Sequence, residues 1–354
     1  MKKLLEQIRI GDLNIKNRII MAPLTRCRCA ADAIPNEIMV DYYRQRAGAG
    51  LIIAEATAVT PMGLGYPNTP GIWSEPQIKA WKKITDAVHQ EEGKIFLQIW
   101  HVGRMSDPVY LHGQLPVAPS PIAPKGHISL IRPQKGFVIP RELELSEISG
   151  IVEAFKKGAE NAMKAGFDGV EIHGANGYLL NQFFNEGSNQ RTDIYGGSLE
   201  NRARLMLDVV DAVVSVCGAG RVGLHISPQE DEHSMLQSDY ATTLKEYAYL
   251  MEEVNKRQIA FVFVREGFHC PNRFGLQLKN IFNGTFIINE DFTPAQAENA
   301  VKNGQADAAA FGRLFISNPD LPERIKRDAG FNELVPERYY FTPIESGYTD
   351  YPTL

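Results

Sequence analysis

Short, nearly uninterrupted apolar runs alternate along this chain with longer amphipathic stretches that mix apolar and polar residues. The first kind reads as strands buried on both faces and the second as helices. That alternation predicts parallel strands joined by helical crossovers. Eight runs qualify as strands: Arg18 to Ala22, Leu51 to Glu55, Ile95 to Ile99, Gly169 to His173, Val222 to Ser227, Ala260 to Arg265, Thr285 to Ile288 and Ala308 to Gly312. Helices are predicted over Asn36 to Arg46, Glu75 to Glu92, Ser146 to Ala165, Leu199 to Cys217, Tyr240 to Lys256, Pro294 to Asn303 and Pro319 to Asp328. Ser146 with Glu147 behind it, and Thr293 before Pro294, supply start signals.

Eight β units with no break in composition favour a closed (β/α)8 barrel of the TIM type over an open sheet, with residues 1–354 as a single domain. Two segments stand outside the alternation. Ile8 to Lys16 alternates apolar and polar residues around Gly11-Asp12, a hairpin signal, and is expected to form a lid on the N-terminal mouth. Val102 to Glu144, following the third strand, is rich in Pro, Gly and Ser and too long for a plain connection. It reads either as a cover over a binding mouth or as a disordered surface loop.

Composition narrows the class without changing the fold. With 354 residues, 44% hydrophobic and 22% charged, the chain can bury a sizeable core. A net charge of −5 with scattered Lys and Arg leaves no basic stripe, so a nucleic-acid partner is not expected. Met1-Lys2-Lys3-Leu4-Leu5 runs straight into Glu6, Arg9 and Asp12 rather than into a long apolar signal, and no segment has the apolar length of a membrane span. A cytoplasmic protein without a membrane partner is expected, its oligomeric state left open. Cys27 and Cys29 form a single C-x-C without a second ligand pair, and Cys217 and Cys270 lie far off, so reduced thiols and no structural metal are expected.

In such a barrel the carboxyl ends of the strands and the loops after them line the active mouth. Those positions hold Pro23-Leu24-Thr25, Ala56-Thr57, Gln98, Trp100, His173, Asn176, His225 and Gly312-Arg313. Uncharged donors, a planar amide, an aromatic wall and one cation beside a glycine suit a flat, heteroatom-rich ring with a phosphate tail. The densest chemistry lies in His173-Gly174-Ala175-Asn176-Gly177-Tyr178. Taken singly, these are a packed rim histidine, a turn amide and a packing aromatic. Together they are two neutral donors beside a hydroxyl, able to hold a carbonyl oxygen while charge builds on it and to deliver a proton.

Gly312-Arg313 after the eighth strand offers backbone N–H groups and a guanidinium fork to a phosphate; standing alone it would be a helix-start arginine pairing with a carboxylate. Trp100 and Tyr66 read either as a substrate wall or as core aromatics. Gly218-Ala219-Gly220-Arg221-Val222-Gly223 matches G-x-G-x-x-G, but it closes a helix and enters a strand, the reverse of a dinucleotide fingerprint.

These residues resemble the Old Yellow Enzyme family of flavin-dependent ene-reductases. The likeness runs nearly end to end: Met21-Ala22-Pro23-Leu24-Thr25-Arg26, Asp41-Tyr42-Tyr43-Arg44-Gln45-Arg46-Ala47, Glu55-Ala56-Thr57 and Leu97-Gln98-Ile99-Trp100-His101-Val102-Gly103-Arg104. It continues through the His173 to Tyr178 segment, Asn189 to Arg202, Phe311-Gly312-Arg313 and Gly347-Tyr348-Thr349-Asp350-Tyr351-Pro352. The resemblance implies non-covalent FMN at the mouth, with NAD(P)H and an electron-poor alkene or nitro compound using one site in turn. It implies that Pro23, Leu24, Thr25, Ala56, Gln98, His225, Asn289, Gly312 and Arg313 hold the cofactor. His173 and Asn176 would grip the substrate oxygen, Tyr178 would give the proton, and Trp100 and Tyr66 would line the substrate space.

Two departures stand out. The family's Gly-x-Arg-x-Ser-Pro strand here reads Gly223-Leu224-His225-Ile226-Ser227-Pro228, so the arginine near flavin N1 is replaced by a histidine. Asn289-Glu290-Asp291 puts two carboxylates where many relatives offer small residues to the phosphate. Both are similar to the bacterial N-ethylmaleimide, xenobiotic and nitroester reductase branch. Tyr339-Tyr340-Phe341 leaves open which ring meets substrate. Two other readings stay open: a degenerate flavin-binding or sensor barrel without turnover, and a flavin-free barrel enzyme acting on a phosphorylated metabolite.

Overall fold

All eight apolar runs become strands of one closed, all-parallel ring in the computed structural model, which describes residues 2–229, 239–339 and 345–354. A hairpin comes first, β1 (Ile8–Ile10) and β2 (Leu13–Ile15), followed by β3 (Ile19–Met21), β4 (Leu51–Ala58) and β5 (Ile95–Trp100) of the ring. Two short strands, β6 (Val117–Ala118) and β7 (Arg141–Glu142), pair with each other outside it. The ring resumes with β8 (Gly169–His173), β9 (Val222–Ile226), β10 (Phe261–Arg265), β11 (Thr285–Asn289) and β12 (Ala308–Phe311), and β12 closes on β3.

Two-residue alternation within each strand separates two cores. Leu51, Ile53, Phe96, Phe261, Phe263, Ile287, Ala308 and Ala310 fill the barrel interior together with Ile10 and Ile15 of the hairpin. Ile52, Leu97, Val170, Leu224 and Val262 point outward into the larger core shared with the helices. Inside the ring, bulk is matched to space: a Cβ on Gly169 would come 2.4 Å from the Phe96 ring, and one on Gly223 would come 2.1 Å from the Phe261 ring. Gly223→Ala is therefore expected to destabilise the protein by about 1–3 kcal/mol. The check is a denaturation midpoint; an unchanged midpoint would show that the ring repacks freely.

The hairpin lids the amino-terminal end as expected. The Asp12 N–H donates to the Gly220 carbonyl at 3.0 Å, where the chain enters β9. Gly11 has φ +53, and any Cβ there would sit 2.1 Å from the same carbonyl oxygen, so glycine is required at the turn.

Ten helices surround the ring among the described residues: α1 (Glu37–Arg44), α2 (Glu75–Gln90), α3 (Leu145–Lys164), α4 (Leu179–Phe184), α5 (Leu199–Cys217), α6 (Tyr240–Lys256), α7 (Gly275–Ile281), α8 (Pro294–Lys302), α9 (Arg313–Ser317) and α10 (Leu321–Arg327). The start of α3 differs from the expectation. Its N-cap is Glu144 rather than Ser146, because Glu147 reaches back to accept from the Glu144 N–H at 2.8 Å. Helix α10 begins two residues later than predicted and stops at Arg327, where Asp328 turns left-handed at φ +53. Gly218 ends α5 and leads through residues 219–221 into β9, so the glycine-rich run there is a helix stop.

The excursion after β5 is ordered by buried arginines. Arg191 donates to the carbonyls of Leu143 at 2.6 Å and Pro119 at 3.2 Å, and Arg104 donates to the Ile122 carbonyl at 2.9 Å. Val102, Met105 and Phe137 from this segment pack on Trp100 and Tyr178 at the carboxyl end of the ring. Of its two readings, the cover over the mouth is the one observed.

Candidate functional site

Five rings crowd the carboxyl ends of β5, β8 and β9. His173, the last residue of β8, stacks on His225 of β9 with centroids 5.0 Å apart and planes 15° apart. Tyr178 stands edge-on to both His173 and Trp100, each at 4.8 Å. Tyr66 stacks on Trp100 at 5.7 Å, and its Oη lies 2.9 Å from the Tyr178 Oη. The aromatics read from the sequence as either wall or core therefore form one face of the mouth, joined to the Tyr178 hydroxyl.

The loop after β8 is shaped by two left-handed residues, Asn176 at φ +56 and Gly177 at φ +71. Asparagine and glycine tolerate that conformation where most residues are strained. Ser227 Oγ accepts from the Asn176 N–H at 2.8 Å, Asn181 Oδ1 accepts from the Gly177 N–H at 2.9 Å, and the amide side chain of Asn176 is left to the mouth. Tyr178 is the N-cap of α4, whose six residues are all buried.

Electrostatics keep this face neutral. Burial pushes the His173 imidazole down to about 3, helped by the charge of Arg265. His225 is held well below 6.5 by burial, by His173 and by Arg265. The Ala175 N–H points at His173 Nδ1 across 3.4 Å, which leaves the ring proton on Nε2 as a donor. Gln98 Nε2 lies 3.0 Å from His225 Nδ1 and 2.6 Å from Glu171 Oε2, so His225 likewise carries its proton on Nε2.

Four buried polar atoms in this layer have no partner among the described residues: Trp100 Nε1, Asn176 Oδ1, His225 Nε2 and Glu171 Oε1. Native interiors pair such atoms. A planar ligand edged with donors and acceptors, laid across the strand ends, would satisfy them.

Pro23, Leu24 and Thr25 follow β3, half-buried, and Ala56 is buried within β4. Their loop is braced from behind: Glu55 accepts from the Arg26 N–H at 3.4 Å and from the Tyr43 hydroxyl at 3.2 Å, and burial raises its carboxyl to about 7. Arg26 donates to the Gly347 carbonyl at 2.7 Å and lies beside Tyr42 and Tyr348, which stack on each other at 4.0 Å, clasping the C-terminal segment to the mouth. Tyr339 contributes its carbonyl to Arg26 at 3.2 Å; Tyr340 and Phe341 lie outside the described residues.

At the end of the neighbouring strand β12, Gly312 caps α9 and a Cβ there would come 3.1 Å from Leu24, so the strand end approaches the β3 loop closely. Asn289 donates to the Ala310 carbonyl at 2.9 Å. The two carboxylates that follow are already engaged. Glu290, at φ +95, accepts a forked pair from Arg265 (Nη2 to Oε1 2.8 Å, Nε to Oε2 3.1 Å), and Asp291 lies 3.7 Å from the exposed Arg313. The two acids that stand where many relatives offer small residues to a phosphate are thus each matched by an arginine.

Two inward-facing charges escaped the sequence reading. Glu171 sits between Gly169 and His173 on β8, buried and raised to about 8 by desolvation. Arg265 ends β10, two positions after the inward-facing Phe263. A single charged residue inside an otherwise apolar run was the available signal for each. No group of three or more potential metal ligands occurs among the described residues, and the four cysteines are unpaired thiols.

A family model described as NADH:flavin oxidoreductase / NADH oxidase matches residues 3–332. Among curated proteins, 12-oxophytodienoate reductase 1 of Oryza sativa subsp. japonica is 42% identical over 365 residues, covering 99% of this chain and 93% of the rice protein. 12-Oxophytodienoate reductase 2 of Arabidopsis thaliana is 41% identical, covering 99% and 96%. The old yellow enzyme homologue of Zymomonas mobilis superposes with a TM-score of 0.94 at 41% identity, covering 99% of each chain. Morphinone reductase in complex with tetrahydroNAD superposes with a TM-score of 0.94 at 44% identity, covering 99% and 97%.

Proposed function

Because the chain belongs to the NADH:flavin oxidoreductase / NADH oxidase family and is an FMN-dependent NAD(P)H oxidoreductase of the ene-reductase kind, we propose that the ring-lined mouth at β5, β8 and β9 is where electron-poor alkenes are reduced. The observation that supports this most is the cluster of orphaned buried atoms on Trp100, Asn176, His225 and Glu171 beside two neutral histidines. Bound without a covalent link, FMN would supply the hydride chemistry that connects a nicotinamide donor to the alkene β-carbon.

The chain's own groups do the rest. The proton on His173 Nε2 and the Asn176 side-chain amide are donors for the substrate oxygen, where charge grows as the β-carbon is reduced. Tyr178 holds a proton at Oη, beside Tyr66 Oη, for the α-carbon. Thr25, Pro23, Leu24, Ala56 and Gln98 would hold the ring system, and Asn289, Gly312 and Arg313 would take the phosphate. Trp100, Tyr66 and Phe137 exclude water from the substrate face. Since nicotinamide and oxidant need the same stacked position, the two halves of turnover alternate.

The substrate class we favour is α,β-unsaturated carbonyl and nitro compounds, with nitroesters or nitroaromatics as further oxidants, because a nitro oxygen can take the place of the carbonyl. We read residues 1–354 as one functional domain. We place the protein in the cytoplasm, where the buried thiols of Cys27, Cys29 and Cys217 would stay reduced. No helix of the described residues is long and apolar enough to cross a membrane.

Purified protein is expected to be yellow, to bleach anaerobically with NADPH and to regain colour with 2-cyclohexenone. Protein that takes up no added FMN would overturn the reading and favour a flavin-free enzyme; flavin that is reduced but never reoxidised by enones would favour a sensor. A further expectation concerns pH. With its imidazole held near pKa 3, well under the ordinary 6.5, His173 stays a neutral donor as pH falls through the usual histidine range. Any break in reoxidation by the enone between about pH 5 and 8 should therefore persist in His173→Ala, since the buried carboxyls of Glu55 and Glu171, raised to about 7 and about 8, are the groups near that range. A break there that disappears in His173→Ala would contradict it.

A further inference from the structure

The eight barrel strands contain a single Lys or Arg, Arg265 at the end of β10. Alternation sends its side chain inward: Phe261 and Phe263 lie in the barrel interior, and Val262 and Val264 in the outer core. Its neighbours in the ring are β9 and β11. Phe263 pairs with His225 and Arg265 pairs with Asn289, so the guanidinium rises one step above the His225 layer, on the side facing Asn289. The forked pair with Glu290 fixes its plane, and the left-handed backbone of Glu290 and Asp291 (φ +95 and +56) bends that loop toward it.

The electrostatic need follows from the reaction itself. Adding a hydride to neutral oxidised flavin leaves one extra negative charge on the ring, and a buried negative charge requires a nearby cation. The described polar groups in the layer of His173 and His225 do not supply one. His173 and His225 are kept neutral by burial, and Gln98 and Asn176 are uncharged. The charge of Arg265, in contrast, is felt at His173 on β8, at His225 on β9 and at Tyr339. By strand register the guanidinium stands one step above the layer in which the two imidazoles stack.

We propose that Arg265, aimed by its fork to Glu290, is the cation that balances reduced FMN in this chain, a role moved from the β9 position held by His225 to the neighbouring strand. The proposal rests on the FMN reading above and adds the residue that makes a neutral histidine at 225 tolerable. It also makes the acidic Glu290 part of the same device, as the anchor of that guanidinium.

The test is the affinity for oxidised and for reduced flavin, measured by anaerobic titration of the wild type, Arg265→Gln and Arg265→Lys, with FMN and separately with riboflavin. Arg265→Gln should weaken binding of reduced flavin relative to oxidised flavin by about tenfold, the order expected of a partly buried unit charge whose field Glu290 reduces but does not cancel. The bound flavin potential should fall accordingly. The shift should be the same for FMN and riboflavin, and Arg265→Lys should recover part of it. Equal weakening of both redox forms, seen with FMN and absent with riboflavin, would make Arg265 a phosphate ligand and overturn the proposal. An unchanged ratio in folded Arg265→Gln would overturn it as well. Wild-type chain that binds neither flavin would bring down the FMN reading and this proposal together, whereas wild-type binding with an unshifted variant removes only the proposal.

Discussion

Tyr178→Phe is expected to slow reoxidation of the reduced protein by 2-cyclohexenone by about 10²-fold or more, the ordinary worth of a positioned proton donor. Reduction by NADPH should proceed at nearly the wild-type rate, because that half consumes no proton from the hydroxyl. The geometry makes this a clean substitution. The ring is held edge-on between His173 and Trp100, and its backbone caps α4, so phenylalanine keeps the packing and loses only the Oη beside Tyr66. Rapid mixing of the two half-reactions separately is the check. Equal slowing of both halves would take the proton-donor role away from Tyr178, and transfer of the role to Tyr66 would appear as a far smaller loss.

The second large effect concerns the oxygen grip. His173→Ala and Asn176→Gly should each cost about 10²–10³ in reoxidation by the enone, the usual consequence of deleting one donor to a developing oxyanion. Glycine is the appropriate replacement at 176, since the backbone there is left-handed at φ +56 and alanine would add strain to the loss of the amide. The two losses should fall short of adding in the double variant, because both donors serve one atom. FMN content should stay at the wild-type level in both variants. A loss below about tenfold with FMN retained would mean that the oxygen is held elsewhere.

Much of this architecture could be read from the chain, for reasons visible in particular elements. Runs such as Gly169–His173 and Val222–Ile226 are buried along their whole length, so they appear as unbroken apolar segments whatever their neighbours do. Helices α5 and α6 show one buried and one exposed face and coincide with their predicted limits. The three helices that periodicity does not reveal, α4, α7 and α9, lack that contrast or that length. Every residue of α4 is buried, leaving no period to detect, and α7 and α9 span seven and five residues. The pairing of β6 with β7 joins segments more than twenty residues apart through two residues each and leaves no local trace.

The candidate site was legible where neighbours in sequence are neighbours in space. His173, Asn176 and Tyr178 lie on one strand end and the turn after it, so the strand's position in the ring carried all three to the mouth. The partners that tune them come from elsewhere. Gln98, Glu171 and His225 meet across three strands, and Arg265 meets Glu290 through the register of β10 with β11. Charge pairing of that kind depends on register, which periodicity does not reveal. For the same reason Glu290 and Asp291 looked like a liability until their arginines were in place.

The most direct measurement is a crystal structure of the FMN-loaded chain soaked with 2-cyclohexenone. The account predicts a planar tricycle across the ends of β5, β8 and β9. Its substrate face should carry the enone, whose oxygen lies within hydrogen-bond distance of His173 Nε2 and the Asn176 side chain, under the Tyr178 hydroxyl. A flavin bound elsewhere on the barrel, or a His173 ring turned away from the bound enone, would contradict it.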